Sequence, residues 1–349
     1  MMVDAPAAER GVDFDLARLD DYLRGLLGGA RERTQVERTQ GGMSNPTYFV
    51  RRGDWRAVLR KQPGENLMPS AHAIDREYRV LTALQGTDVP TPRPFHYCAD
   101  REALGTPFYL MEWLDGRVFP EFSTPGLRRE ERRELFGSMC ATMAAIHRLD
   151  YRALGLADFG RPGNYFARQL KRWTGQWSQF RSGDDDNPDL DRLVEWLSGR
   201  VPESERLALC HGDFRMINIM FHATEPRVIG VFDWELSTLG HPLVDVAFNS
   251  QAWRMAPSEN GGLLGAPLDD LGIPSEAEYL ELYYRLAGST ERMTTFHQAF
   301  AMFRGAVGSA SVAARGQAGN GVLPDAARVG RALARAYAAR GVALIEDGS

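Results

Sequence analysis

The chain is short of the residues that would tie it to an oxidising compartment, a metal cluster or a bilayer. Three cysteines, Cys98, Cys140 and Cys210, are spread over 349 residues. They are too few and too far apart for a disulfide framework or a metal-ligand spacing, and an odd, sparse set suits a reducing compartment. No run approaches the roughly 18 apolar residues of a membrane span. The opening MMVDAPAAERGVDFDL also lacks the apolar segment of an export signal. Charge of one sign is scarce: 41 Lys and Arg stand against 46 Asp and Glu, a net charge of −5. Neither nucleic acid nor an anionic membrane is therefore indicated as the main partner, although a local cluster could still bind phosphate. With no low-complexity tract or internal repeat, the expectation is a globular cytoplasmic protein large enough for two lobes.

What is present changes character along the chain. Leu16, Leu19, Leu23 and Leu26/Leu27 recur at helical spacing, with Asp13 or Asp15 as cap and Gly28-Gly29 as stop. VERTQ, TYFVRR and WRAVLRKQ then read as an antiparallel meander whose turns hold GGMSN and Gly53-Asp54. HAIDREYRVLTAL reads as a helix and PFYLMEWL as a short strand, completing a small α+β lobe. From residue 127 helices dominate, beginning with the stripe Leu135, Met139, Met143 and Ile146. The expected division is 1–112 and 113–349.

LCHGDFRMINIMF, residues 209–221, puts polar side chains into a segment that otherwise reads as core. Asp213 and Asn218 have the spacing of a kinase catalytic loop, with His211 two residues before the Asp. The residue types suit phosphoryl transfer. A carboxylate can orient an attacking hydroxyl and take its proton, and an amide oxygen is a hard, neutral ligand for Mg²⁺. Fifteen residues after Asn218, the apolar strand VIGVF ends in Asp233. Two β-segments that each release an acid would bring Asp213, Asn218 and Asp233 into one cleft. His211 is expected to brace the loop through backbone hydrogen bonds rather than move a proton.

HGDFRMIN, VFDWE and GHPLVDVAF together resemble the aminoglycoside phosphotransferase and choline kinase-like family of small-molecule kinases, over residues 35 to 310. The resemblance implies a bilobal protein-kinase-like fold and the use of ATP and Mg²⁺. It makes Asp213 the catalytic base and Asn218 and Asp233 the metal ligands. Arg215 and Glu235 also fit the pattern, Glu235 as loop support, and Asp245 would anchor the catalytic loop. His241 stands where the family often has an acid, a local variation to which no consequence attaches.

The same resemblance extends to the N-terminal lobe. Gly42, Met43, Ser44 and Asn45 match the family's nucleotide-binding turn. AVLRK matches the strand that carries the phosphate-binding cation and puts Arg60 there. Lys61 is adjacent, but alternation sends the two side chains to opposite faces, so one alone can serve. Arg60 is the reading adopted, since a guanidinium keeps its charge and grips phosphate in bidentate fashion. Glu77 would be its ion-pair partner, and the backbone of Glu112 and Trp113 would read the adenine edge.

Only eleven residues separate Asp233 from Asp245, which leaves no room for the long activation segment of a protein kinase. A small-molecule hydroxyl acceptor is the expectation. VLRKQPGENLMPSAHAIDREYRVLTAL resembles a subgroup found beside or fused to acyl-CoA dehydrogenases. That implies a functional link to such an enzyme and a hydroxyacyl-CoA as acceptor. The alternatives are an aminoglycoside or amino-alcohol kinase, or a catalytically silent nucleotide-binding regulator. Arg292, Arg304, Arg315 and Arg328 give the C-terminal helices a basic character that suits anionic groups better than a polycation.

Overall fold

A computed structural model describes residues 11–29, 32–39, 45–64, 74–161, 163–181, 186–203, 206–317 and 325–347. The chain divides into two compact units, 1–115 with 230–235, and 116–229 with 236–349. The first boundary lies three residues beyond the expected 112/113 division, and Gly230–Glu235 returns to the first unit.

In the first unit, α1 (Leu16–Leu27) starts where the Asp15 side chain accepts the Ala17 N–H and ends at Gly28, satisfying orphan groups at both ends. Asp13, the other cap candidate, instead accepts the Tyr48 hydroxyl at 2.7 Å and faces Lys61 at 3.4 Å. The hairpin of β2 (Thr47–Arg52) and β3 (Trp55–Lys61) turns through Gly53 at φ +55°, a conformation glycine takes without strain. With β1 (Thr34–Arg38), β4 (Pro94–Cys98) and β5 (Phe108–Met111) these strands form a five-stranded sheet, ordered β1-β2-β3-β5-β4 with every pairing antiparallel. Helix α2 (Ile74–Ala83) precedes β4, and the single turn α3 (Arg101–Leu104) joins β4 to β5. Leu19 and Leu23 of α1 pack with Tyr48, Val50, Leu59 and Phe108 in one apolar core. Arg52, almost fully buried, is matched by Asp20, Thr34 and the Gly29 carbonyl.

The second unit opens with β6 (Gly116–Arg117) and α4 (Arg129–Arg148), then α5 (Tyr165–Phe180) and α6 (Pro188–Ser198). Phe166, Leu170, Trp173 and Trp177 stand at i, i+4, i+7 and i+11, a helical period that marks α5 in the sequence itself. Strand β7 (Ala208–Cys210) pairs antiparallel with β10 (Thr238–Gly240), while β8 (Ile219–His222) lies between β6 and β9 (Val228–Val231). Helices α7 (Leu243–Ser250), α8 (Leu268–Leu271), α9 (Glu276–Ala287), α10 (Thr295–Gln317) and α11 (Ala326–Asp347) follow. The core of this unit gathers Phe166, Leu193, Phe300, Phe303 and Tyr337. A Cβ on Gly330 would lie 2.6 Å from the Ala313 nitrogen, so α10 and α11 approach more closely there than any larger residue allows. Among the described residues, no helix is long and apolar enough to cross a membrane.

Candidate active site

The polar residues predicted from sequence fall into two groups, one in each unit. In the second unit, β7 releases the chain into His211, Gly212 and Asp213. Asp245, 1% exposed in the first turn of α7, takes up the backbone: its carboxylate accepts the His211 N–H at 2.6 Å and the Gly212 N–H at 2.9 Å. His147 Nε2 lies 3.3 Å from the same carboxylate, and its Nδ1 is 2.7 Å from the Tyr283 hydroxyl. Burial pushes the Asp245 carboxyl up, but the His147 hydrogen bond and the neighbouring imidazoles outweigh it and hold the group below the usual range.

The loop is pinned from its other side as well. Arg304 Nη2 donates to the Gly212 carbonyl at 2.7 Å, and Asn249 Nδ2 donates to the Phe214 carbonyl at 3.1 Å. Gly212 has φ +83°, and a Cβ there would lie 2.5 Å from the Leu236 carbonyl oxygen. His211 Nδ1 accepts the Asp213 N–H at 3.1 Å, a local bracing bond.

The Asp213 carboxylate is therefore presented by a fixed backbone. Asn218, at the end of the 3₁₀ turn Met216–Asn218, donates its amide N–H₂ to the Asp213 carbonyl at 2.9 Å and carboxylate at 2.8 Å. Arg215 Nε lies 3.1 Å from the same carboxylate. With its nitrogen so engaged, the Asn218 amide turns its oxygen, the atom a hard cation takes, away from Asp213.

In the first unit, Arg60, Glu77 and Asp233 come together. Arg60 Nε is 2.8 Å from Glu77 Oε2, and its Nη2 donates to Asp233. Burial opposes the charge on Arg60, yet the carboxylates of Glu77 and Asp233 prevail and raise its pKa. Burial likewise raises the pKa of Glu77 against the pull of Arg60. The other oxygen of Glu77 accepts the Trp234 N–H at 3.2 Å. Asp233 has φ +64°, a left-handed conformation that is uncommon outside glycine. One of its carboxylate oxygens meets Arg60, and among the described residues the other has no partner. A neutral amide oxygen and a carboxylate oxygen are the donor types that suit a hard dication.

Asn45 Nδ2 donates to Glu235 at 3.1 Å, and Glu235 lies 4.0 Å from Arg60. Lys61 points to the opposite face toward Asp13. The Glu112 N–H is spent on the Arg93 carbonyl at 2.8 Å, which leaves only its carbonyl for reading a base. Trp113 stacks on Phe49 at 4.1 Å, with the Arg51 guanidinium 4.8 Å from its ring. Gly42, Met43 and Ser44 lie outside the described residues.

His241 has a structural consequence after all. Its Nδ1 accepts the Leu243 N–H at 3.3 Å, its Nε2 lies 3.5 Å from the Glu291 carboxylate, and burial lowers its pKa. His147, Tyr283, Asn249 and Arg304 were missed from sequence as loop supports. His147 continues the Met139 and Met143 stripe of α4, a readable sign that it faces inward. Arg304 gave no such sign, because α10 is buried on several sides. Of the other basic residues singled out, Arg292 pairs with Glu281, Arg328 pairs with Asp325, and Arg315 donates to Ser311.

Residues 35–304 match the family model described as the APH phosphotransferase enzyme family. The chain is 38% identical to a Ralstonia eutropha protein assigned to the aminoglycoside phosphotransferases, whose crystal structure superposes with a TM-score of 0.84 and covers 96% of this chain and 99% of that one. A fold likeness at 17% identity, TM-score 0.61, links it to aminoglycoside phosphotransferase APH(4)-Ia solved with AMP-PNP and hygromycin B, covering 93% and 98% of the two chains. It is also 40% identical to mouse acyl-CoA dehydrogenase family member 10 and to rat family member 11, over 82% and 79% of this chain. The chain spans only 27% and 36% of those two proteins.

Proposed function

The chain belongs to the APH phosphotransferase enzyme family and is a small-molecule kinase; from that membership we propose ATP- and Mg²⁺-dependent transfer of the γ-phosphate to a hydroxyl of a small acceptor, a hydroxyacyl-CoA. The observation that carries the reading is the Asp213 carboxylate, held at once by the Asn218 amide at 2.8 Å and by Arg215 on a loop anchored to buried Asp245. Asp213 orients the acceptor hydroxyl and receives its proton. The donors from Asn218 and Arg215 keep the carboxylate aimed. Asn218 and Asp233 would hold the metal, and Arg60, positioned by Glu77, would take the nucleotide phosphates. A bound magnesium would neutralise charge on the phosphoryl group during its transfer.

The acyl-CoA part of the proposal is supported by the 40% identity to proteins bearing an acyl-CoA dehydrogenase name. A link to such an enzyme, as neighbour or fused partner, goes with it. The Ralstonia relative favours a second reading, an aminoglycoside acceptor. ADP formation across a panel of hydroxyacyl-CoAs, aminoglycosides and amino alcohols separates the two. Asp213→Asn should lower turnover on the active acceptor by about 10² to 10⁴-fold while leaving the melting temperature unchanged; unchanged turnover would refute the assignment of the base. Stabilisation by ATP should require Mg²⁺ and shrink in Asp233→Ala, and a metal-independent shift would count against the ligand pair.

A further inference from the structure

Behind the HGD loop, the second unit gathers hydrogen-bond donors that no group among the described residues takes up. Arg304 is 7% exposed. Its Nη2 is accounted for by the Gly212 carbonyl, but Nε and Nη1 are buried without a partner among the described residues. Aromatic faces surround it instead of carboxylates: its guanidinium lies 5.6 Å from the Trp173 ring and 5.1 Å from that of Phe248. The Trp173 indole N–H is likewise buried and unpartnered.

Arg172, the next residue on α5, reaches solvent with its guanidinium 5.7 Å from the Trp173 ring, and has no ion-pair partner among the described residues. Desolvation, and then the like charge of Arg304, work against its protonated form. Tyr165, whose ring fills the space a Gly240 side chain would need, lies within the field of both arginines. Asp245 is already engaged by His211, Gly212 and His147.

The unfilled groups on Arg304 and Trp173 are all donors, and the two guanidinium charges have no counter-ion among the described residues. Water could satisfy the hydrogen bonds but not the charge. An oxyanion satisfies both, and bidentate recognition of carboxylate or phosphate is what a guanidinium does best.

We propose that Arg304, Trp173 and Arg172, flanked by Tyr165, form a subsite for a carboxylate or phosphate group of the acceptor, beside the residue that precedes Asp213. Calling the bound molecule the acceptor rests on the kinase reading above; the anion site itself does not. The acceptor class this selects carries a hydroxyl and an anionic group on one molecule, which disfavours polycationic aminoglycosides.

Calorimetric titration of the full chain with inorganic phosphate, and separately with acetate, tests the subsite without any turnover. Saturable binding is expected, weakened about tenfold or more in Arg172→Gln and in Trp173→Phe, and retained in Arg60→Gln. The two α5 variants carry the test, since Arg304→Gln also removes the bond to Gly212. No saturable binding, or binding lost in Arg60→Gln and intact in both α5 variants, overturns the proposal. The anion bound more tightly tells a phosphate-bearing carrier from a free hydroxy acid.

In a second arm, a hydroxyacyl-CoA is compared as acceptor with the same acyl group on pantetheine, which lacks the phosphates, and a hydroxy acid with its primary amide. The uncharged analogue of whichever acceptor is phosphorylated should show a KM at least about tenfold higher in the wild type and a much smaller difference in Arg172→Gln. Equal KM values within both pairs in the wild type overturn the acceptor assignment. If no acceptor of any class is phosphorylated, the kinase reading fails while the titration still decides on the anion site.

Discussion

Replacing Asp245 with Asn tests how the HGD loop is held. The native carboxylate accepts two backbone N–H groups, at 2.6 Å from His211 and 2.9 Å from Gly212, and faces His147 at 3.3 Å, with 1% of the residue exposed. Asparagine offers one oxygen and an amide N–H₂ of nearly the same shape. One backbone N–H would then confront another donor with no water to relieve it. Leaving a buried donor unmet costs about 1–3 kcal/mol, and loss of the charged acceptor weakens the bond that remains. The expected loss is about 2–4 kcal/mol at neutral pH, read from urea unfolding with an unchanged slope.

The pH dependence supplies a second signature. Asp245 has its folded pKa depressed, so its contribution is fully present above the ordinary Asp value near 3.9 and is lost as pH falls through the lower folded value. The stability gap between wild type and Asp245→Asn should be flat from neutral pH to about 4 and close below it. A variant within about 0.5 kcal/mol of wild type at pH 7, or a gap that does not close in acid, would show that this carboxylate is not what fixes the loop.

Gly212→Ala should destabilise the chain by about 1–3 kcal/mol and lower turnover more than stability explains, because the new methyl meets the Leu236 carbonyl; activity at wild-type level would refute the close approach. Arg52→Met removes the buried partner of Asp20, a partly exposed carboxylate that keeps its bonds to Thr34, and should cost about 1–3 kcal/mol, measured by urea unfolding, whereas a loss below about 0.5 kcal/mol would mean the pair adds little. His297, buried in α10, has its pKa lowered to about 4. The unfolded chain therefore binds the extra proton first, and the wild type should lose up to about 3 kcal/mol as pH falls from 6.5 toward 4, a slope that His297→Gln should flatten.

Local signals carried most of the readable fold. The leucine period marked α1, Gly53 marked the β2–β3 turn, and the 135–146 stripe marked α4. The polar spacing of the HGD segment was legible because the chain itself brings Asp213 and Asn218 together within a single turn. Arg60 and Lys61 could be separated in principle by strand alternation, but only the packed sheet pairs one with Glu77 and the other with Asp13. The Glu112 N–H illustrates the limit: its partner is the Arg93 carbonyl, and backbone pairing of that kind has no side-chain signature. From sequence Arg304 reads as one more basic helix residue, because composition records charge but not direction. Its inward turn depends on Gly212, ninety-two positions away.

Gly230–Glu235 belongs to the first unit but is encoded within the second. Arg60 and Asp233 meet across 173 positions of sequence, so ribosomal synthesis delivers the two halves of this contact far apart in time. At a few to some twenty residues per second, Arg60 and Glu77 emerge several seconds or more before Asp233 is made. During that interval the Glu77 carboxylate also lacks the Trp234 N–H that later caps it. The last step in maturing the N-terminal unit is thus the arrival of a six-residue segment from the middle of the chain. A gene fragment cut at residue 115 would make a product held at this unfinished stage.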